Sequence, residues 1–232
     1  VSTAHAALYV GATPVFVDVR REDLNIAPAQ IERRISAKTR AIMPVHLYGQ
    51  GADMDAILRI AKKHNLSIVE DAAQVVGVYY KKKHLGTFGD LGCFSFFADK
   101  TITTGGEGGM VVTNNKDLYE KLLYFRNQGR LTSGTFIHPH VGYNFRMTDL
   151  QAAIGLVQLK KFMRLKRRKL ANDAIYKHLL QGIPEVTFLG RAPNSTFIPF
   201  RTNIFVERLS ELIEYLVKHK IQTRGMFYPL HK

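Results

Sequence analysis

The chain has one cysteine, Cys93, and no tryptophan in 232 residues. A single thiol cannot close an internal disulfide, so a disulfide-stapled secreted scaffold is excluded and a cytoplasmic setting is expected. Cys93 lies in an apolar run and reads as a core thiol rather than a nucleophile. No His/Cys cluster falls at zinc-ligand spacing, so no metal is expected. No apolar run approaches the roughly 20 residues that a bilayer span requires, and no signal-peptide pattern opens the sequence. Acidic residues are scarce, 19 against 33 Lys and Arg, for a net charge of +14. Much of the excess sits between Lys160 and Lys169, where only Phe162 supplies an aromatic ring. A nucleic-acid platform needs more stacking partners than that, and a charge run of this kind reads as the solvated face of a long helix. No nucleic-acid or membrane partner is expected.

What is present is ordinary for a globular protein: 46% hydrophobic and 22% charged residues, in a chain long enough for one large core. Strand-like runs cover Thr13 to Val19, Arg40 to Val45, Leu66 to Glu70, residues 76–81 and 91–97, and Gly109 to Thr113. Helical patterns cover Pro28 to Ser36, a segment opened by Asp53 and running to about His64, and Lys116 to Gln128. Residues 129–146 carry few periodic signals. A long helix then runs from Thr148 towards Leu180, ended by Gly182 and Pro184. Val186 to Leu189 and Ile198 to Val206 read as strands of a second unit, followed by a helix from Ser210 to Lys218. The alternation of strands and helices predicts a parallel α/β sheet, with a boundary near residue 150. Residues 1–147 would then form one domain, and 148–232 a linking helix with part of a second.

The chemistry concentrates at two strand ends. Ile68-Val69-Glu70-Asp71 is a buried strand ending in acid, and Cys93-Phe94-Ser95-Phe96-Phe97 runs out to Lys100. In parallel α/β sheets ligands sit beyond the carboxyl ends of strands. An acid, a hydroxyl and a lysine at neighbouring strand ends suit pyridoxal 5′-phosphate. The lysine would form the Schiff base, the acid would pair with the ring nitrogen, and the hydroxyl would meet the phosphate. The same residues also fit a solvated strand end and a strand-to-helix turn.

Longer blocks narrow the choice. Val69-Glu70-Asp71-Ala72-Ala73-Gln74, Gly86-Thr87-Phe88-Gly89-Asp90, Phe94-Ser95-Phe96-Phe97 and Glu107-Gly108-Gly109-Met110-Val111-Val112-Thr113-Asn114 resemble the signature run of the DegT/DnrJ/EryC1/StrS sugar aminotransferases. The likeness extends to Gly11-Ala12-Thr13-Pro14-Val15-Phe16-Val17-Asp18 and Pro44-Val45-His46-Leu47-Tyr48-Gly49-Gln50. Downstream it takes in Gly142-Tyr143-Asn144-Phe145-Arg146-Met147-Thr148-Asp149 and Phe227-Tyr228-Pro229-Leu230-His231.

The resemblance implies a fold type I pyridoxal-phosphate transferase: a three-layer large domain with a mostly parallel sheet and helices on both faces, plus part of a small α+β domain. It makes Lys100 the catalytic lysine, Asp71 the partner of the ring nitrogen, Gln74 a ring contact and Ser95 a phosphate donor. Asn144 would reach the phosphate of a neighbouring subunit, which implies a homodimer with shared sites. His46, Arg146 and His231 are candidates for substrate contact. The implied reaction moves an amino group from L-glutamate to a keto group of a nucleotide-linked deoxysugar, with pyridoxamine 5′-phosphate as the intermediate form. Lys100-Thr101-Ile102-Thr103-Thr104-Gly105 and His138-Pro139 resemble the branch that acts on a GDP-linked 4-keto-6-deoxymannose, although the extra glycine before Glu107 matches other branches. Dehydratase relatives carry histidine where Lys100 stands. The family's ring-stacking aromatic and phosphate turn would precede Val1, and further strands would follow His231. The chain therefore reads as the centre of a longer protein, and a binding remnant of the fold is the rival reading.

Overall fold

A computed structural model describes residues 1–130, 134 and 136–230. Its elements in order are α1 (Ser2–Tyr9), α2 (Pro28–Ile31), β1 (Ala41–Ile42), α3 (Met54–His64), β2 (Ser67–Asp71), β3 (Tyr79–Tyr80), β4 (Lys83–His84) and β5 (Leu91–Ser95). There follow β6 (Gly109–Val112), α4 (Lys116–Arg126), α5 (Asp149–Leu180), β7 (Thr187–Phe188), β8 (Ile204–Phe205) and α6 (Leu209–Lys218).

Local chemistry sets the helix limits. The Asp53 side chain accepts from the Ala56 amide at 3.2 Å and opens α3, while Asn65 closes it in the left-handed conformation, φ 50°. Met54, Ile57 and Ala61 recur on one face of α3 and are buried. The long α5 starts at a reciprocal capping box between Thr148 and Gln151. Asn115 caps α4 by accepting from the Leu118 amide at 3.1 Å.

The main sheet has the order β1-β2-β5-β6. β1 runs parallel to β2, and β2 parallel to β5 with Asp71 opposite Cys93. β6 is antiparallel to β5, with Ser95 opposite Gly109. The connection from Phe96 to Gly108 carries no helix, so the chain doubles back rather than crossing over. The core gathers Ile42, Ile57, Ile68, Val75, Val78, Tyr80, Leu85 and Ile198, with Phe162 of α5 packed against it.

Three expected strands are corrected, one of which, Ile198 to Val206, shortens to β8. Residues 13–18 form no strand: Val15 and Phe16 are exposed, and the nearest pairing is a single bridge between Val19 and Ile26. An apolar run becomes a strand only where a neighbour supplies a ladder. The expected strand Arg40 to Val45 shortens to β1 and an isolated bridge from Val45 to Asp71.

Distant segments close over this sheet. Gln50 is buried; its side-chain nitrogen donates to Gly190 O at 3.1 Å and its oxygen accepts from the Ala192 amide at 3.0 Å. The Gly51 amide donates to Ser195 Oγ at 2.9 Å, and the Ile198 amide to Gly49 O at 3.0 Å. Gly49 has φ +86°, and a Cβ there would sit 1.8 Å from Ile198 O, so the approach demands glycine.

Candidate active site

Asp71 ends β2 and Ser95 ends β5, so the parallel register brings both to the carboxyl edge of the sheet. The Asp71 carboxylate is held from two sides. Thr3 Oγ1 donates to Oδ2 at 2.6 Å, and the Ala73 amide donates to Oδ1 at 3.1 Å. Each oxygen keeps further lone-pair capacity for a ligand N–H. Ser95 Oγ accepts from the Phe97 amide at 3.3 Å, which leaves its proton free to donate. Opposite Asp71, the Cys93 thiol is pushed up by burial and then by the Asp71 and Glu70 carboxylates, which keeps it protonated.

Lys100 lies five residues past β5, in a turn closed by its amide donating to Phe97 O at 3.0 Å. Its side chain is largely sheltered, with Nζ 3.4 Å from Asp99 Oδ1 and 4.8 Å from the Phe200 ring centre. The glycine turn folds beside it: Phe97 bridges Gly106, and Thr104 Oγ1 donates to Glu107 O at 2.7 Å.

Immediately behind Asp71, Glu70 is fully buried. Its Oε1 accepts from the amides of Phe88 and Gly89 at 2.6 and 2.7 Å. Its Oε2 accepts from the Gly86 amide at 2.7 Å and lies 2.9 Å from His46 Nε2. Because the Ala52 amide donates to His46 Nδ1 at 3.2 Å, the imidazole carries its proton on Nε2 and donates to Glu70. Burial alone would push the Glu70 carboxyl up, but the hydrogen bonds from His46 and the backbone amides hold it below its ordinary value. Glu70 thus pins the 86–89 turn to β2, next to Asp71. His46, read from sequence as a substrate contact, is fully buried with both ring nitrogens engaged, and its place is in this support.

Gln74 Oε1 accepts from the Tyr48 amide at 2.7 Å, leaving its nitrogen without a protein partner among the described residues. Tyr48 holds a left-handed φ of 55° and stacks on Phe227 at 5.5 Å. Asn144 is exposed, with Oδ1 accepting from Arg146 Nε at 3.0 Å. Both sit on a segment whose Val141 and Phe145 also face solvent. His231 lies outside the described residues. Glu70, Thr3, Asp99 and Arg201 were not singled out from sequence. The acid pair Glu70-Asp71 was the one visible signal, since an acid preceding a site acid in a buried strand needs its own partners.

A hollow of about 690 Å³ between residues 32–40 and 64–66 opens at the amino ends of β1 and β2. It is the opposite edge from Asp71 and Ser95, and its lining offers no convergent donor set, so the chemistry rather than the volume locates the site.

The architecture is that of the three-layer fold type I pyridoxal-phosphate transferases. Residues 1–232 match the DegT/DnrJ/EryC1/StrS aminotransferase family, and the chain belongs to it. A GDP-perosamine synthase of Escherichia coli is 43% identical over 233 residues, spanning 100% of this chain and 64% of that protein. A UDP-N-acetyl-3-dehydro-alpha-D-glucosamine 3-aminotransferase of Acidithiobacillus ferrooxidans is 48% identical over 154 residues, 66% of this chain and 41% of that one. The structure of Helicobacter pylori PseC, an aminotransferase, superposes with a TM-score of 0.93 at 32% identity, covering 100% of this chain and 64% of that one. The chain thus spans less than two thirds of the length of such relatives. The cofactor of the family and fold is pyridoxal 5′-phosphate. The donor set at the sheet edge fits it: a twice-held carboxylate, a hydroxyl with a free proton and a sheltered amine.

Proposed function

We propose that the chain carries the centre of an aminotransferase that moves an amino group from L-glutamate to the keto group of a nucleotide-linked deoxysugar. The observation that supports it best is that Asp71 and Ser95 end adjacent parallel strands at one edge of the sheet, with Lys100 in the turn five residues past Ser95 and Asp71 oriented by Thr3 and Ala73. When bound, pyridoxal phosphate supplies an electron sink to the carbon that gains or loses the amino group. Asp71 would face the ring nitrogen with its carboxylate and favour the protonated form of that nitrogen. Ser95 donates to the phosphate, and Gln74 offers its free amide nitrogen to the ring. Lys100 would hold the cofactor through its amine and would take and return a proton at the donor's Cα.

Residues 1–147 form the cofactor-binding unit in this reading, and 148–232 the linking helix and part of a second unit. Asn144 serves the phosphate of a second copy in a homodimer, which is supported by its exposure on a segment with apolar neighbours. The sugar is a GDP-linked 4-keto-6-deoxymannose, supported by the 43% identity to GDP-perosamine synthase along the whole chain. Against that finer choice stands the 3-aminotransferase relative, named for a UDP-linked substrate.

The test is to incubate the chain with pyridoxal phosphate, reduce with borohydride and map the adduct by peptide mass spectrometry. An adduct concentrated on Lys100, and lost when L-glutamate is added first, is the expected result. Adducts scattered over the other lysines of a folded chain restored to full length would overturn the cofactor role of Lys100.

A further inference from the structure

Parts of the chain far apart in sequence meet at Lys100. The Asp99 carboxylate divides between two cations: Oδ1 lies 3.4 Å from Lys100 Nζ, and Oδ2 accepts from Arg201 Nη2 at 2.9 Å. The Phe200 ring lies beneath both cations, 4.8 Å from the amine and 4.9 Å from the guanidinium. From the other side α5 anchors this segment, with Lys169 Nζ donating to the carbonyls of Pro199 and Phe200 at 3.3 and 3.4 Å. Burial, and then the Arg201 charge, push the Lys169 ammonium down, while Asp99 opposes them.

A carboxylate with no other partner would close on a neighbouring amine and hold it as an ammonium. A nucleophilic amine must lose that proton. Asp99 does not close on Lys100: their separation exceeds the roughly 2.7–2.9 Å of a charge-assisted N–H···O bond, whereas its bond to Arg201 falls within that range. The guanidinium has the better geometry and takes the larger share of the carboxylate. We propose that Arg201, acting through Asp99, is a positioning residue for Lys100: it fixes the carboxylate beside Nζ and offsets its charge, so that the amine is held in place without a closed ion pair. The purpose of this arrangement rests on the proposed function, but its physics does not require the cofactor.

Among the described residues, the charged groups tied to this turn are Asp99 itself, Arg201 ahead of β8 and Lys169 on α5, with Asp71 at the end of the strand beside β5. The test is competitive acetylation of the 232-residue chain by acetic anhydride between about pH 6 and about pH 10, without cofactor, read at Lys100 by peptide mass spectrometry. The exposed Lys116 serves as internal reference. Arg201→Gln should raise the pH of half-reactivity at Lys100 by about half a unit, the size expected of one lost charge at water-like screening. Asp99→Asn should lower it by a similar amount, and Arg201→Lys should restore the unsubstituted profile. A merely structural role moves the two profiles in the same direction or leaves both unchanged, and either result overturns the proposal. Asp99→Asn preserves shape and decides alone if Arg201→Gln does not fold. Borohydride trapping separates the two claims: failure to label Lys100 overturns the cofactor reading and leaves the opposite shifts standing. Labelling without the shifts overturns only the positioning.

Discussion

Replacing Glu70 with glutamine keeps the shape of the side chain and removes its charge. In the native protein four donors converge on this carboxylate, two on each oxygen. An amide presents one oxygen and one N–H₂, so whichever way it turns, two donors face another donor. His46 cannot relieve this by exchanging its ring proton, because its other nitrogen accepts from Ala52. Leaving buried donors unpaired costs about 1–3 kcal/mol each, so Glu70→Gln should destabilise by about 2–4 kcal/mol after partial relaxation. For a chain of this size that lowers the melting temperature by roughly 5–15 °C. Thermal unfolding followed by far-UV circular dichroism at neutral pH reads it directly. The pH dependence adds a second constraint. Folding holds the Glu70 carboxyl below its ordinary value of 4.5, so its contribution is complete above that value and fades as pH falls through the lower, folded-state one. The gap between native and variant should therefore narrow in acid. Equal melting temperatures at neutral pH, or a gap that widens on acidification, would refute this account of the 86–89 turn.

Other substitutions have equally direct readings. A Cβ on Gly92 would lie 1.8 Å from Gly86 O, whereas one on Gly106 would meet nothing within 4 Å. Gly92→Ala should abolish the cooperative unfolding transition, and Gly106→Ala should leave it within about 0.5 kcal/mol of native, as urea titration will tell. Thr3→Val removes one of the two bonds orienting Asp71 and should weaken pyridoxal phosphate binding roughly tenfold, measured by absorbance titration. The Tyr80 hydroxyl is pushed up to about 12 by burial and by its bond to Asp53. Its stabilising effect is intact below the ordinary phenol value of 10 and lost as pH rises towards 12, so Tyr80→Phe should flatten the alkaline fall in stability.

Local signals carried much of the fold. The Asp53 cap and Asn65 marked α3, Thr148 and Gly182 bracketed α5, and the apolar runs into Asp71 and Ser95 located the two strands that frame the site. What failed were features set by neighbours. The segment at residues 13–18 has the composition of a strand and lacks an adjacent edge. In the site, the family blocks pointed to Asp71 and Ser95, which end neighbouring strands at the sheet edge, but not to their supports. His46 and Glu70 are 24 residues apart, Asp99 and Arg201 are 102, and no periodicity links such pairs. An isolated histidine looks the same in sequence whether it faces a ligand or a buried carboxylate.

The side chain of Gln50 has a consequence for the order in which the polypeptide matures. Its amide oxygen and nitrogen are paired with Ala192 and Gly190, some 140 residues downstream, and Gly49 and Gly51 also take partners from that stretch. Until those residues leave the ribosome, the segment around Gln50 stays hydrated, because burying it early would strand its polar atoms. Closure over the first strands must wait for most of the chain to be synthesised. Such late, long-range closure slows folding and lengthens exposure of the nascent apolar segments to aggregation.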